Sequence, residues 1–516
     1  MSFSEQSDSI RFQAMELLAF SVLDLFPSTQ LVDGKISNVD FYYDFIFEKP
    51  FADQALHLVE ERWRKALKEF AGFKYPEMMR ENAAGLFEHH HQSIKAEQAL
   101  NHSSNIISLL NLGEFYDIVS PVFQQESDRR VYPKLFGYHT YQQEGLLITR
   151  LDATVFSDQD DLKAYQKLRK VGEKFSHKEL GKKLELFDVK KDKQWFFHPR
   201  GEKFKSNIKE IFANLCEQEG FPFVSSLNQA QAEGISRYGF EGLGAWLKDV
   251  NDKNDVNCGL LSLLEHESLK ISTFETGRIL LNRCISSLQF IKKIIKIFDL
   301  NHEWVLRTYR PTEVSKKQWQ TQVDLLKSAA EQCEIRYSYD LSPDNYSSES
   351  NFHVCQFPSL EMCVYDSLGR RWATSSISFS SSEGKETLII SPLVSLERFV
   401  ALLLEQKTGL IPSWLLPEKV RVLLLSKEQK KTARALQQTL ISRGVFAGLD
   451  VGDEKLAKKV ELATQHQVPF FIVIREKEDN NGLIAVRRLG EDVTSEMELE
   501  NFLLIAKQEL ERKLES

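Results

Sequence analysis

Apolar residues in this chain come in short bursts between charged ones, and their spacing changes from region to region. From Ser7 to about Phe156, strand-like runs (Phe41 to Phe47, Gly145 to Leu151) alternate with amphipathic helical stretches such as Phe51 to Glu69. Asp161 to Phe187 is strongly charged, with Leu162, Tyr165, Leu168 and Val171 at helical spacing, and predicts one long exposed helix. From about Lys191 to Leu416, long helices (Thr276 to Phe298, Lys317 to Gln332) mix with strand-like runs at Trp304 to Thr308, Leu360 to Tyr365 and Thr387 to Ile390. This region ends in an apolar helix, Ser395 to Gly409, stopped by Gly409 and Pro412. The last hundred residues alternate: Val420 to Leu425, Lys430 to Arg443, Lys455 to His466, Pro469 to Ile474, Leu483 to Arg487 and Glu496 to Leu514. Such alternation predicts a compact α/β domain with a largely parallel sheet. Low-complexity sequence is slight, chiefly Ser375 to Ser382.

With 516 residues, 42% of them hydrophobic, the chain has room for about three domains. No run approaches the roughly 20 apolar residues of a membrane span, and Met1 to Glu16 lacks the basic start and apolar core of a secretory signal. The six cysteines (Cys216, Cys258, Cys284, Cys333, Cys355, Cys363) form no CxxC pair, which points to reduced thiols in a cytoplasmic protein. The net charge of -8 argues against a general nucleic-acid binder but leaves room for a folded RNA on one local basic face.

Several segments, in one order, resemble threonyl-tRNA synthetase, a class II aminoacyl-tRNA synthetase. Asp40 to Phe45 (DFYYDF) is similar to the GFYYDF strand of that family's editing domain, and Leu151 to Phe156 to the run that closes it. His177 to Phe187 (HKELGKKLELF) resembles the DHRKLGKELDLF linker and is the most specific match. Trp195 to Gly201 resembles FWHPKG. Val394 to Phe399 and Pro412 to Pro417 resemble the GSMERF and FPLWLAP segments around motif 3. Val468 to Phe470 and Ala485 to Arg487 fit strands of the anticodon-binding domain. The resemblance implies no counterpart to the family's small N-terminal ubiquitin-like domain. The resemblance implies a mixed α+β and α/β multidomain fold. It comprises an editing-like α+β domain (1–157), a linker helix (158–190), a class II catalytic-like domain with an antiparallel sheet (191–416) and an anticodon-binding-like α/β domain (417–516).

Each site of the family is tested by its own chemistry. Editing uses an HxxxH helix pair and a CRGPH loop, where two histidines on one helix face can hold a water or substrate together. Here Glu16 and Phe20 occupy the helix positions, ahead of Leu25-Phe26-Pro27, and the loop reads Asp117 to Val122. Hydrolytic editing is therefore not expected. The triplet His89-His90-His91 cannot converge on one ion, because adjacent helical residues point about 100° apart, and reads as a solvated helix end. Of the family's zinc ligands, the histidine positions carry Lys270 and Ile389, leaving Cys258 as an ordinary thiol.

Adenylation needs guanidinium groups that pair bidentately with ATP phosphates. Asn228 to Arg278 is shorter than the family's motif 2 region, and Ser262-Leu263-Leu264 stands where its arginines should be. Arg398 survives at the motif 3 position as a vestigial nucleotide contact, or alternatively as a helix or carboxylate partner. No catalytic residue, metal or cofactor is expected. For tRNA, Glu478 and Arg487 match kept positions and Lys455, Lys458 and Lys459 add charge, while Asp453 and Glu461 oppose it. The expected protein is an inactive synthetase paralogue acting by binding. Its expected partners are tRNA, a second copy, or a true synthetase or other protein; nothing suggests DNA or a membrane. The alternatives are a divergent threonine–tRNA ligase and a free-standing deacylase.

Overall fold

The computed structural model describes residues 8–70, 72–102, 104–119, 131–143, 145–190, 194–225, 242–250, 256–263, 265–273, 279–308, 315–340, 357–382, 385–474, 483–491 and 493–511. Helix Asp8–Leu25 packs on an antiparallel sheet ordered Gln30–Ile36, Phe41–Ile46, Leu146–Phe156, Tyr132–Gln143. Leu18, Val22, Tyr43 and Phe45 fill the space between them. Helix Asp53–Glu69 closes this core through Trp63, whose indole donates to the Ala14 carbonyl at 2.8 Å. A smaller unit sits alongside: helices Arg80–His89 and Ser93–Leu100 on strands Glu77–Met79, Ile106–Leu112 and Phe115–Ile118.

The segment predicted as one long exposed helix is broken and half-buried. Helix Gln159–Gly172 gives way to a tight turn, Glu173–Phe175, and then to helix His177–Lys183. The break is at Ser176, whose backbone is extended (φ -62, ψ 142) and whose hydroxyl accepts from the Glu179 amide, a serine N-cap that restarts the helix. Leu162, Tyr165, Gly172, His177 and Leu180 are buried. A Cβ on Gly172 would lie 2.2 Å from the Ser367 carbonyl oxygen, so only glycine lets the segment press this closely on the next domain.

The third unit is a seven-stranded sheet ordered Gly242–Val250, Glu265–Thr273, Lys385–Leu393, Arg371–Ser382, Ser359–Tyr365, His302–Arg307, Tyr337–Asp340, antiparallel except for the last pair. Directly paired residues share a face, so the register sorts the two sides. Ile271, Ile390, Ile377, Leu360 and Leu306 form one apolar row. Helices Pro199–Gln218, Ile279–Phe298, Lys316–Gln332 and Leu396–Gln406 share the core that this row enters. On the other face Ser391, Ser376 and Glu361 are neighbours across three strands, and Ser378, Ser359, Arg307 and Asp340 across four. The serine run that read as low complexity is thus an alternating strand, with Ile377 and Phe379 turned to the core.

In the C-terminal unit, Ala447–Asp450, Val420–Leu424 and Phe470–Ile474 are parallel neighbours, but Leu483–Arg488 and Thr494–Glu498 add on antiparallel. The expected largely parallel sheet is therefore parallel in only three strands. A parallel return needs a crossover of a dozen or more residues. Only eight separate Ile474 from Leu483 and five separate Arg488 from Thr494, so both connections must reverse the chain. No helix among the described residues is long and apolar enough to cross a membrane.

Candidate functional sites

Arg398 sits in the first turn of helix Leu396–Gln406, which Ser395 caps. Its side chain is buried and turns inward: Nε donates to the Leu261 carbonyl at 2.8 Å and one terminal nitrogen to the Ala373 carbonyl at 3.2 Å. The guanidinium also lies 5.3 Å from the centre of the Trp372 ring. Glu397 turns elsewhere, pairing with Lys205 at 2.7 Å and accepting from the Glu267 amide at 3.0 Å. On the polar face nearby, Glu361 pairs with Arg307 at 2.8 Å, yet burial outweighs the arginine and raises its carboxyl pKa. Burial, then the charge of Arg398, pushes His266 down to about 4, so this imidazole is neutral at physiological pH. Arg398→Met would leave two buried carbonyls without their donor, at an expected cost of about 2–3 kcal/mol, read by urea unfolding.

The positions that the resemblance would assign to zinc ligands hold other contacts. Lys270 pairs with Asp249 at 2.8 Å, Ile389 lies across from Ser272 and Ser378, and the Cys258 thiol accepts from Arg370 at 3.7 Å. Among the described residues no three His, Cys, Asp or Glu side chains gather as a metal site. His89 and His91 are exposed where helix Arg80–His89 ends, and His91 takes the left-handed conformation (φ 58).

Close to Cys258, the start of the HKELG run makes a buried contact. His177, 2% exposed, approaches Glu405 through Nδ1 at 2.6 Å, while the Leu260 amide donates to its Nε2 at 3.1 Å. Since Nε2 accepts, Nδ1 carries the proton and donates to the carboxylate. Burial raises Glu405, but the His177 hydrogen bonds more than offset this and lower its pKa. Gly259 (φ 60) leaves the room: a Cβ there would stand 2.4 Å from Nε2.

In the first domain, Glu16, at the helix position where the resemblance would put an editing histidine, is part of a buried charge cluster. Glu16, Asp117, Lys95 and Tyr43 are each no more than 3% exposed. Lys95 meets Asp117 at 2.5 Å, and the Tyr43 hydroxyl donates to the same carboxylate. Burial, then Asp117, holds the Glu16 carboxyl well above its ordinary range, and one of its oxygens has no hydrogen-bond partner. Burial alone would lower Lys95, but Asp117 and then Asp33 raise it above the usual lysine value. Phe20, one turn on, packs edge-on against Phe115. The sequence puts a carboxylate at this position; it carries no sign that Lys95, far away in the chain, would join the cluster. Ser120 to Val122 lie outside the described residues.

The raised Glu16 pKa sets a pH dependence. The folded state keeps a proton that the unfolded chain releases above about pH 4.5, so stability falls as pH rises from there towards the folded pKa. Glu16→Gln should hold its melting temperature between pH 5 and pH 8 better than the parent chain does. Parallel curves over that range would show that Glu16 is ionised in the fold.

The candidate RNA residues divide. Lys455 and Lys458 are exposed at the start of helix Leu456–Gln465. Lys459 is not: it is 4% exposed, donates to the Leu424 carbonyl at 3.3 Å and faces Asp450 at 3.8 Å. Contrary to the expectation of a surface charge, its place on the helix turns it onto the parallel strands. Arg487, half-buried on strand Leu483–Arg488, donates to the Glu491 carbonyl at 2.6 Å. Glu478 lies outside the described residues. Asp453 pairs with Lys427 at 2.8 Å, which lowers its pKa.

The seven-stranded, mainly antiparallel sheet with one polar face is followed along the chain by the terminal α/β unit. Residues 419–509 match the family described as "Anticodon binding domain". The chain is a homologue of the threonine–tRNA ligases over nearly its full length. It is 24% identical to the threonine–tRNA ligase of Polaromonas naphthalenivorans, covering 97% of this chain and 88% of that protein. It is also 24% identical to that of Nitrosomonas europaea, covering 99% and 90%. A crystal structure described as the RNA binding domain of threonyl-tRNA synthetase from Cryptosporidium parvum has a similar fold: TM-score 0.54 at 17% identity, covering 64% of this chain and 98% of that one.

Proposed function

We propose that this chain is a threonyl-tRNA synthetase-like protein of the cytoplasm that binds tRNA and does not charge it. The observation that carries this reading is the engagement of Arg398. A motif 3 arginine serves adenylation by pointing at a triphosphate, and this one directs its donors to the Leu261 and Ala373 carbonyls. Losing a single donor of this kind costs on the order of 3 kcal/mol of transition-state stabilisation. The cluster of Glu16, Asp117, Lys95 and Tyr43 supports the same reading for editing: a dense, internally compensated site offers no histidine to a water. The anticodon-binding domain supports tRNA as the ligand, and a second copy or a true synthetase would be its protein partner.

The competing reading, a divergent threonine–tRNA ligase, is favoured by similarity to such ligases along nearly the whole chain. Threonine-dependent ATP–pyrophosphate exchange separates the two. The binding reading expects exchange at the level of a no-enzyme control, together with a measurable complex with tRNA. Threonine-dependent exchange well above that control would replace it with the ligase reading.

A further inference from the structure

The linker carries a surface that neither the adenylation region nor the editing region accounts for. Lys163, Lys167, Lys170 and Lys174 follow one another at intervals of four, three and four residues, and all four are exposed. At about 100° per residue they fall on one face of helix Gln159–Gly172 and the tight turn after it, extending roughly 16 Å. The opposite face is fixed. Tyr165 donates to Asp40 of the first domain at 2.8 Å, and Gly172 is pressed against the Ser367 carbonyl of the third. The lysines therefore cannot rotate inward. Lys163 meets Asp160 at 3.0 Å, whereas Lys167, Lys170 and Lys174 make no ion pair with a described carboxylate.

Charge is concentrated here against the trend of the molecule. Residues 163–183 hold eight Lys or Arg and two Glu, in a chain of net charge -8. Like charges one helical turn apart oppose the helix they sit on, so a stripe of them is a cost that a polyanion would relieve. Exposed Lys182 and Lys183 follow on the next helix, and there the linker meets the anticodon-binding domain, whose Gln465 side chain donates to the Lys183 carbonyl at 2.6 Å. Lysine ammoniums act as point charges without the planar fork that reads a base, which suits phosphates.

We propose that this lysine face is a docking surface for the phosphate backbone of a folded RNA, a second contact beside the anticodon-binding domain. It rests on the reading that the chain binds tRNA. The test uses the full chain, fluorescent tRNA transcripts and anisotropy titrations between about 50 and 200 mM salt. The variant K167Q/K170Q/K174Q is compared with K49Q/K65Q/K68Q, which removes the same charge from exposed lysines elsewhere, and with K455Q/K458Q. The linker variant should weaken binding about tenfold or more and flatten the slope of log affinity against log salt by about 2–3, and the control triple should do neither. If tRNA binds and K455Q/K458Q weakens it while the linker variant matches the parent chain, the second contact is wrong and the tRNA reading stands. If the parent chain binds no tRNA at the lowest salt, both fall. Binding of anionic vesicles or an acidic protein through these lysines, with tRNA ignored, would likewise overturn the RNA assignment.

Discussion

Glu418→Ala is expected to destabilise the junction between the anticodon-binding domain and the rest of the chain by about 3–5 kcal/mol, the usual cost of stripping one partner from a buried ion pair. Glu418 is 5% exposed and holds two arginines from different parts of the chain. Arg200, at the head of helix Pro199–Gln218, reaches it at 2.6 Å, and Arg421, on strand Val420–Leu424, at 2.9 Å. His466 completes the junction: Arg200 donates to its carbonyl at 3.1 Å and Arg421 to its Nδ1 at 3.1 Å. Burial, then the two arginines, pushes His466 down to about 3, so it remains a neutral acceptor at physiological pH. Without the carboxylate, two guanidinium groups would face each other in a site that water enters poorly.

Calorimetry checks this prediction, because loss of docking should separate the unfolding of residues 419–509 from that of the remainder. Gly448→Ala provides an independent route to the same effect. A Cβ there would stand 2.0 Å from a Glu418 oxygen, so the carboxylate must leave its arginines. If Glu418→Ala melted as the parent chain does, in a single transition within about 0.5 kcal/mol, the triad would be no more than surface charge.

How far the sequence disclosed this architecture depends on what kind of fact was asked of it. Elements with strong periodicity were legible almost to the residue: Lys430–Ser442, Phe470–Ile474 and Leu396–Gln406 lie where apolar spacing puts them. Strand direction in the terminal sheet was legible only through loop length, which alternation of strand and helix does not display. The linker misled because Leu162, Tyr165, Leu168 and Val171 keep helical spacing up to Gly172, and nothing in that period announces the serine cap four residues later. Site residues were legible in identity and illegible in their contacts. The absence of histidine at Glu16 could be seen in a line of text, but the pairing of Lys95 with Asp117 depends on a helix and a strand that only the fold brings together. Likewise Arg398 was identified by its neighbours in sequence, while its commitment to the Leu261 and Ala373 carbonyls is a property of where those backbones run.

Lys95→Met should cost a further large amount, again about 3–5 kcal/mol, for a reason that can be separated from packing. Methionine fills nearly the same volume in a site only 3% exposed, so the lost term is charge. Asp117 would then be a buried carboxylate facing the raised carboxyl of Glu16, with the Tyr43 hydroxyl and the Ile118 amide, but no cation, left to share its charge. The position also matters. Lys95 comes from helix Ser93–Leu100 and Asp117 from strand Phe115–Ile118, whereas Tyr43 belongs to the main sheet and Glu16 to the first helix, so the cluster fastens the smaller unit to the larger one. If charge is the cause, removing the carboxylate's charge as well should recover much of the loss. The double variant Lys95→Met/Asp117→Asn is therefore expected to be more stable than Lys95→Met alone, and urea unfolding of the two single variants and the double closes the cycle. A double variant whose loss equals the sum of the single losses would mean that the two side chains act independently, and that the close approach of ammonium and carboxylate does not hold the domain together.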